Sequence, residues 1–121
     1  MPDSPNKRPA TVRQAARDLK VEEGKQATAL ADLAKGRANL TRGRVAIARG
    51  RATLVRRARA GEPDSTLAPI RANFDAAEAD LNVAEAKLDA AAARIELAEH
   101  RLAEARDKAR SADRSRLDRS S

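Results

Sequence analysis

Residues 36–56 read GRANLTRGRVAIARGRATLVR, three similar heptads that each begin with Gly-Arg and end with Arg. The large apolar residues Leu40, Ile47 and Leu54 recur every seven positions, and a glycine precedes each of them by four positions. A sustained seven-residue apolar repeat is typical of helices that pack in a left-handed coiled coil. This stretch therefore predicts a long helix whose seam alternates large and small residues.

A second repeat follows from Phe74 to Leu102, again with one large residue every seven positions and alanine three positions later. Between the repeats, Gly61 suits the left-handed end of a helix, and Pro63 cannot continue that helix. The connection is too short for a parallel return. We predict an all-α fold, a long antiparallel two-helix hairpin with an Ala/Gly-rich coiled-coil seam.

The predicted hairpin covers residues 11–112, with helix 1 at about 11–60, a turn at 61–66 and helix 2 at about 67–112. Thr11 and Gln14 fit a capping box at the first helix start, and Thr66 fits an N-cap that places Pro69 in the first turn. The Pro-rich residues 1–10 are predicted to be a disordered leader, and the polar residues 113–121 a frayed tail.

A turn near residues 65 and 66 sets Leu54 against Ala77 and Gly43 against Leu88, so that every large residue faces a small one. The predicted seam comprises Leu33, Gly36, Leu40, Gly43, Ile47, Gly50, Leu54, Ala77, Leu81, Ala84, Leu88, Ala91, Ile95, Ala98 and Leu102. Charge favours the same pairing, because residues 35–59 carry nine cations and no acid. The predicted ion pairs are Arg51 with Glu78, Arg44 with Glu85, Glu23 with Arg106, and Asp32 with Arg101.

Composition limits the possible functions. The 121 residues include 29 Ala and 19 Arg but only 20 Leu, Ile, Val and Phe, with no cysteine, one histidine and a net charge of +7. This composition argues against a β fold, a disulfide scaffold, a zinc site and a large enzyme pocket. We expect no enzyme activity, no cofactor, no metal and no small-molecule substrate. No apolar stretch is long enough to span a membrane, and none resembles a signal peptide, so we expect a cytoplasmic protein.

Two surfaces remain outside the seam. A line of cations, which are candidate anion-binding residues, comprises Lys35, Arg42, Arg49 and Arg56. A candidate second interface comprises Ala38, Val45, Ala52, Val55, Val83, Ala90 and Leu97. The simpler interpretations are a solvated charged face and alanine chosen as the best helix former.

These features predict a non-enzymatic coiled-coil interaction or assembly protein whose partner is itself or another helical protein. One form of this hypothesis is a dimer of hairpins in a four-helix bundle. The alternative is an accessory nucleic-acid-binding protein that uses the Arg-rich first helix. A third interpretation is a chain with no selected binding role.

Overall fold

The computed structural model describes residues 7–120, and the side chains of residues 12–114. Two long helices pack antiparallel: α1 spans Lys7–Arg59 and α2 spans Asp64–Ser120. No strand occurs among the described residues. The predicted all-α helical hairpin is therefore confirmed.

The first helix begins earlier than predicted. Residues 7–10 of the predicted leader belong to α1, and residues 1–6 lie outside the described part. Pro9 stands in the first turn, where a missing N–H removes no helical hydrogen bond. Thr11 therefore lies inside α1 and not at the N-cap position that the predicted capping box requires. The Gln14 side chain instead donates a hydrogen bond of 3.0 Å to the Asp18 carboxylate one turn later.

The second helix also continues past its predicted end. Residues 113–120 of the predicted tail belong to α2, and residue 121 lies outside the described part. No glycine or proline follows Pro69 in the sequence, so nothing in the local chemistry stops the helix before the C-terminus. Polar character by itself does not end a helix.

Gly61 ends α1 in the predicted way. It has a φ of 94°, which a residue with a Cβ rarely adopts. The Gly61 N–H donates to the Ala58 carbonyl at 3.1 Å, and the Glu62 N–H donates to the Arg57 carbonyl at 3.1 Å. These two bonds define a Schellman motif with Gly61 at the C′ position. The motif reverses the chain within a few residues.

The start of α2 differs from the prediction. The Pro63 carbonyl accepts bonds from the N–H groups of Thr66 at 3.0 Å and Leu67 at 3.3 Å. Pro63 is thus the capping residue, Asp64 is the first helical residue, and Thr66 is already inside the helix. Pro69 consequently lies beyond the first turn, where its missing N–H costs one helical hydrogen bond. The connection shortens to residues 60–63.

The shorter connection changes the register, and the predicted facing pairs are wrong by one heptad. A Cβ added at Gly43 would lie 3.0 Å from Cδ2 of Leu81, and one added at Gly36 would lie 2.5 Å from Cδ2 of Leu88. A Cβ at Gly50 would meet the Phe74 ring. Gly43 therefore faces Leu81 and not Leu88. Large residues still face small ones, because a shift of seven positions preserves the repeat.

Two compact units divide the hairpin. The turn unit comprises Asp32–Ala92, and the terminal unit comprises the helix segments that precede and follow it. Within the turn unit, Leu67 is 1% exposed and Leu54 is also buried; within the terminal unit, Ile95 and Leu102 are buried. Apolar burial is thus concentrated in a few large aliphatic residues of each unit.

Candidate interaction surfaces

The seam is the contact between the two helices in each unit. Fourteen of its fifteen predicted residues are buried or half-buried, and Ala77 is exposed. In the turn unit, Leu40, Leu81, Ala84 and Leu88 line a narrow surface groove of about 400 Å³ beside Gly36. The small residues bring the helices close together, and this seam supplies structure without any chemically reactive group.

One line of arginines follows the seam, and acids of α2 pair with every member. This inner cation line comprises Arg37, Arg44 and Arg51. Their ion-pair partners are Asp89 at 3.4 Å from Arg37, Glu85 beside Arg44, and Asp75 at 2.9 Å with Glu78 at 2.5 Å from Arg51. The hydrogen bond to Asp75, aided by the charge of Glu78, raises the pKa of Arg51 above its ordinary value. These arginines therefore hold α1 and α2 together through ion pairs.

The other predicted ion pairs have different outcomes. Arg106 Nε lies 3.3 Å from the Glu23 carboxylate within the terminal unit. Asp32 forms no ion pair with any side chain that the structure describes. At the turn, Arg57 pairs with Glu62, and this hydrogen bond raises the pKa of Arg57 and lowers the pKa of Glu62. Sequence reasoning did not find this last pair.

A second line of cations points away from the seam. This outer cation line comprises Lys35, Arg42, Arg49 and Arg56, all of them exposed. Arg56 donates a hydrogen bond of 3.1 Å to the Thr53 hydroxyl on its own helix. No member forms an ion pair among residues 12–114. The charge of this line is therefore available to an anionic partner.

The residues of the predicted second interface are all exposed: Ala38, Val45, Ala52, Val55, Val83, Ala90 and Leu97. Val45 is 43% exposed and Val83 is 55% exposed. On α1, Ala38, Val45, Ala48, Ala52 and Val55 form what we call the outer apolar face, which borders the outer cation line. No side chain of residues 12–114 buries either of these surfaces.

The terminal unit contains a groove that sequence reasoning missed. It has a volume of about 690 Å³, and its apolar lining includes Leu19, Ala29, Ile95 and Leu102. Gln26 also lines it and donates a hydrogen bond of 2.7 Å to the Ile95 carbonyl. The signal in the sequence was Gln26 itself, a polar residue at a position where the repeat otherwise places a large apolar one.

The described residues bring together no cluster of three or more His, Asp or Glu side chains suited to a metal ion. In the same part of the chain, neither helix has an apolar stretch of the length and hydropathy needed to cross a membrane.

The chain matches no protein-family model, and no curated protein or solved structure is significantly similar to it.

Proposed function

We propose that this protein is a non-enzymatic interaction or assembly protein that works by packing its helices against another helix. The observation that carries the proposal is the exposure of apolar residues on the side of each helix that faces away from the seam, notably Val45 and Val55 on α1 and Val83 on α2. A surface helix normally presents charged residues on the face opposite its core. An extended apolar face favours a partner that covers it.

The partner is either a second copy or another helical protein. Light scattering over a wide concentration range tests the first form, and the variant Val45→Glu/Val83→Glu/Leu97→Glu is its control. Dissociation of the oligomer by these substitutions, with helicity retained, supports self-association. A wild-type protein that stays monomeric at high micromolar concentration refutes self-association.

A photo-crosslinking amino acid tests both forms in cells that express the chain. It is placed at Val45 on α1 or at Val83 on α2, and Lys108, an exposed residue of the terminal unit, serves as the control position. The proposal expects one defined adduct, with itself or another protein, from at least one of the two face positions and not from Lys108. No defined adduct from either face position would overturn the proposed function.

The outer cation line favours a second candidate, an accessory role in binding nucleic acid. Its four residues recur every seven positions, about 10.5 Å along a helix, and are free of intramolecular acids in the described part. Replacing all four with Gln should weaken binding about equally for every sequence and flatten its salt dependence. Undetectable DNA and RNA binding by the wild type at low salt would eliminate this candidate.

A further inference from the structure

We infer that the outer apolar face of α1, within the turn unit, docks an acidic amphipathic helix of another protein. This inference rests on the proposed function and specifies its partner. On a helix, residues three and four positions apart are surface neighbours. Arg49 is therefore adjacent to both Val45 and Ala52, and Arg42 and Arg56 continue the same border. An apolar strip thus lies directly beside a row of cations.

The distribution of ion pairs indicates the sign of the charge that the partner should carry. The turn unit contains eight acids, and six of them are paired: Glu62, Asp64, Asp75, Glu78, Glu85 and Asp89. Their partners are the inner cation line together with Arg57 and Arg71. The outer cation line shares none of these acids. The unmatched charge beside the outer apolar face is therefore positive.

The same distribution disfavours a second copy as the occupant. If the outer cation line of a second copy lay against this surface, the two lines would repel each other. If α2 of a second copy lay there, most of its acids would already be paired with its own arginines. Only Asp32 and Asp80 of the turn unit form no ion pair among the described residues. Like charges brought together at an interface oppose association. A separate chain with unengaged acids is the complementary occupant.

The apolar strip favours a helix over a nucleic acid. Ala48 and Ala52 project little from α1, so a second helix can approach closely and cover Val45 and Val55. A helix with acids every seventh residue also repeats at about 10.5 Å, the spacing of the outer cation line. Phosphates would satisfy the cations but leave the apolar strip uncovered. The chain has no Trp or Tyr to stack on bases.

The test uses two synthetic stapled helices labelled with fluorescein. Both carry Leu and Ala on one face; one has Glu every seventh residue along the border of that face, and the other has Lys there. Fluorescence anisotropy at low salt measures their binding to the whole chain. We expect the Glu helix to bind at least about tenfold more tightly than the Lys helix. Equal binding, or no binding of the Glu helix, would overturn the inference.

Two variants and a matched control locate the site. Arg42→Gln/Arg49→Gln/Arg56→Gln should lower the affinity for the Glu helix by about tenfold, because each of the three exposed ion pairs adds a modest amount to the binding free energy. Lys108→Gln/Arg110→Gln/Arg114→Gln removes the same charge elsewhere and should leave affinity unchanged. Val45→Ser/Val55→Ser should weaken the Glu helix but not the binding of duplex DNA. Circular dichroism verifies that each variant retains its helicity.

The outcomes separate this inference from the proposed function. Equal loss in the control variant would show a non-specific charge effect and overturn the inference. Duplex DNA that binds through the outer cation line more tightly than the Glu helix does would assign this surface to nucleic acid and also overturn the inference. A photo-adduct at Val83 would leave the proposed function standing in either case, through α2. Absence of adducts at both Val45 and Val83 would remove both.

Discussion

The ring of Phe74 occupies the space that a side chain at Gly50 would fill. Phe74 is the one aromatic residue of the chain, and it faces a glycine on the neighbouring helix. In the register that the sequence predicts, Phe74 would face Arg57 and not Gly50. The observed register pairs Phe74, the largest side chain at the contact between the helices, with a glycine, the smallest partner, which close packing requires. Phe74 thus favours one of two registers that the heptad repeat leaves equivalent.

Replacing Gly24, Gly43 or Gly50 with alanine should give a graded series of stabilities. Alanine gains up to about 1 kcal/mol in helix propensity, whereas overpacking costs about 1–3 kcal/mol. Gly24 has nothing within 4 Å of an added Cβ, so Gly24→Ala should raise the melting temperature. Gly43→Ala is tight at 3.0 Å from Leu81 and should change stability little. Gly50→Ala should lower the melting temperature, because the aromatic ring is rigid.

Thermal unfolding followed by circular dichroism measures this series. A second substitution supplies the control: Phe74→Leu in the Gly50→Ala background should recover part of the lost stability, since the smaller side chain leaves room for the methyl group. If Gly50→Ala stabilises the protein as much as Gly24→Ala does, the two helices do not approach each other closely at Gly50 and Phe74.

Arg51 and Arg49 should respond differently to the same substitution. Arg51 bridges Asp75 and Glu78, whereas Arg49 forms no ion pair among the described side chains. Arg51→Gln should lower the melting temperature at low salt, and the difference should shrink at high salt as screening increases. Arg49→Gln should have little effect at either salt concentration. Equal effects of the two substitutions would argue against the assignment of the two cation lines.

The pair between Arg57 and Glu62 predicts a specific pH dependence. The hydrogen bond from Arg57 lowers the pKa of Glu62 below its ordinary value of 4.5. A carboxylate with a depressed pKa stabilises the fold above its ordinary pKa and loses that contribution as pH falls through the lowered value. The wild type should therefore lose more stability in acid than Glu62→Gln does. Parallel melting temperatures for the two proteins from neutral to acidic pH would contradict this role.

Gln26 should limit the stability of the terminal unit. Its side chain donates to the Ile95 carbonyl, which lies within α2 and keeps its helical acceptor role if Gln26 is replaced. Gln26→Leu leaves no buried group without a partner and adds apolar surface to the groove. It should raise the melting temperature, and Gln26→Ala should not. A loss of stability in Gln26→Leu would show that the hydrogen bond outweighs the gain in apolar burial.

The fold followed from the sequence because its signals were local and repeated. Heptad spacing predicted both helices, and Gly61 predicted the end of α1. Register did not follow, because Leu81 and Leu88 occupy equivalent positions and both suit a glycine. The turn and Phe74 together distinguish the two registers: Pro63 caps α2 earlier than Thr66 would, and Phe74 then lies opposite Gly50. A displacement of the turn by a few residues was enough to change the register by a heptad.

The candidate surfaces were likewise predictable only in part. Heptad position predicted that Arg44 lies beside the seam and Arg42 on the outside. Of these two arginines, Arg44 forms an ion pair and Arg42 forms none with a described side chain. The groove beside Gln26 was not predicted, because its openness depends on how closely the helices approach there. Partner identity depends on a second molecule, about which sequence periodicity carries no direct information.

The register is tested most directly by a pair of engineered disulfides, since the chain has no cysteine of its own. Leu40 and Ala84 line one groove and share the register of Gly43 and Leu81. Leu40→Cys/Ala84→Cys should form an intramolecular disulfide on mild oxidation of a dilute sample. Ala91 lies about 10.5 Å further along α2, beyond the span of a disulfide. Leu40→Cys/Ala91→Cys should therefore stay reduced, and preferential crosslinking of this second pair would contradict the observed register.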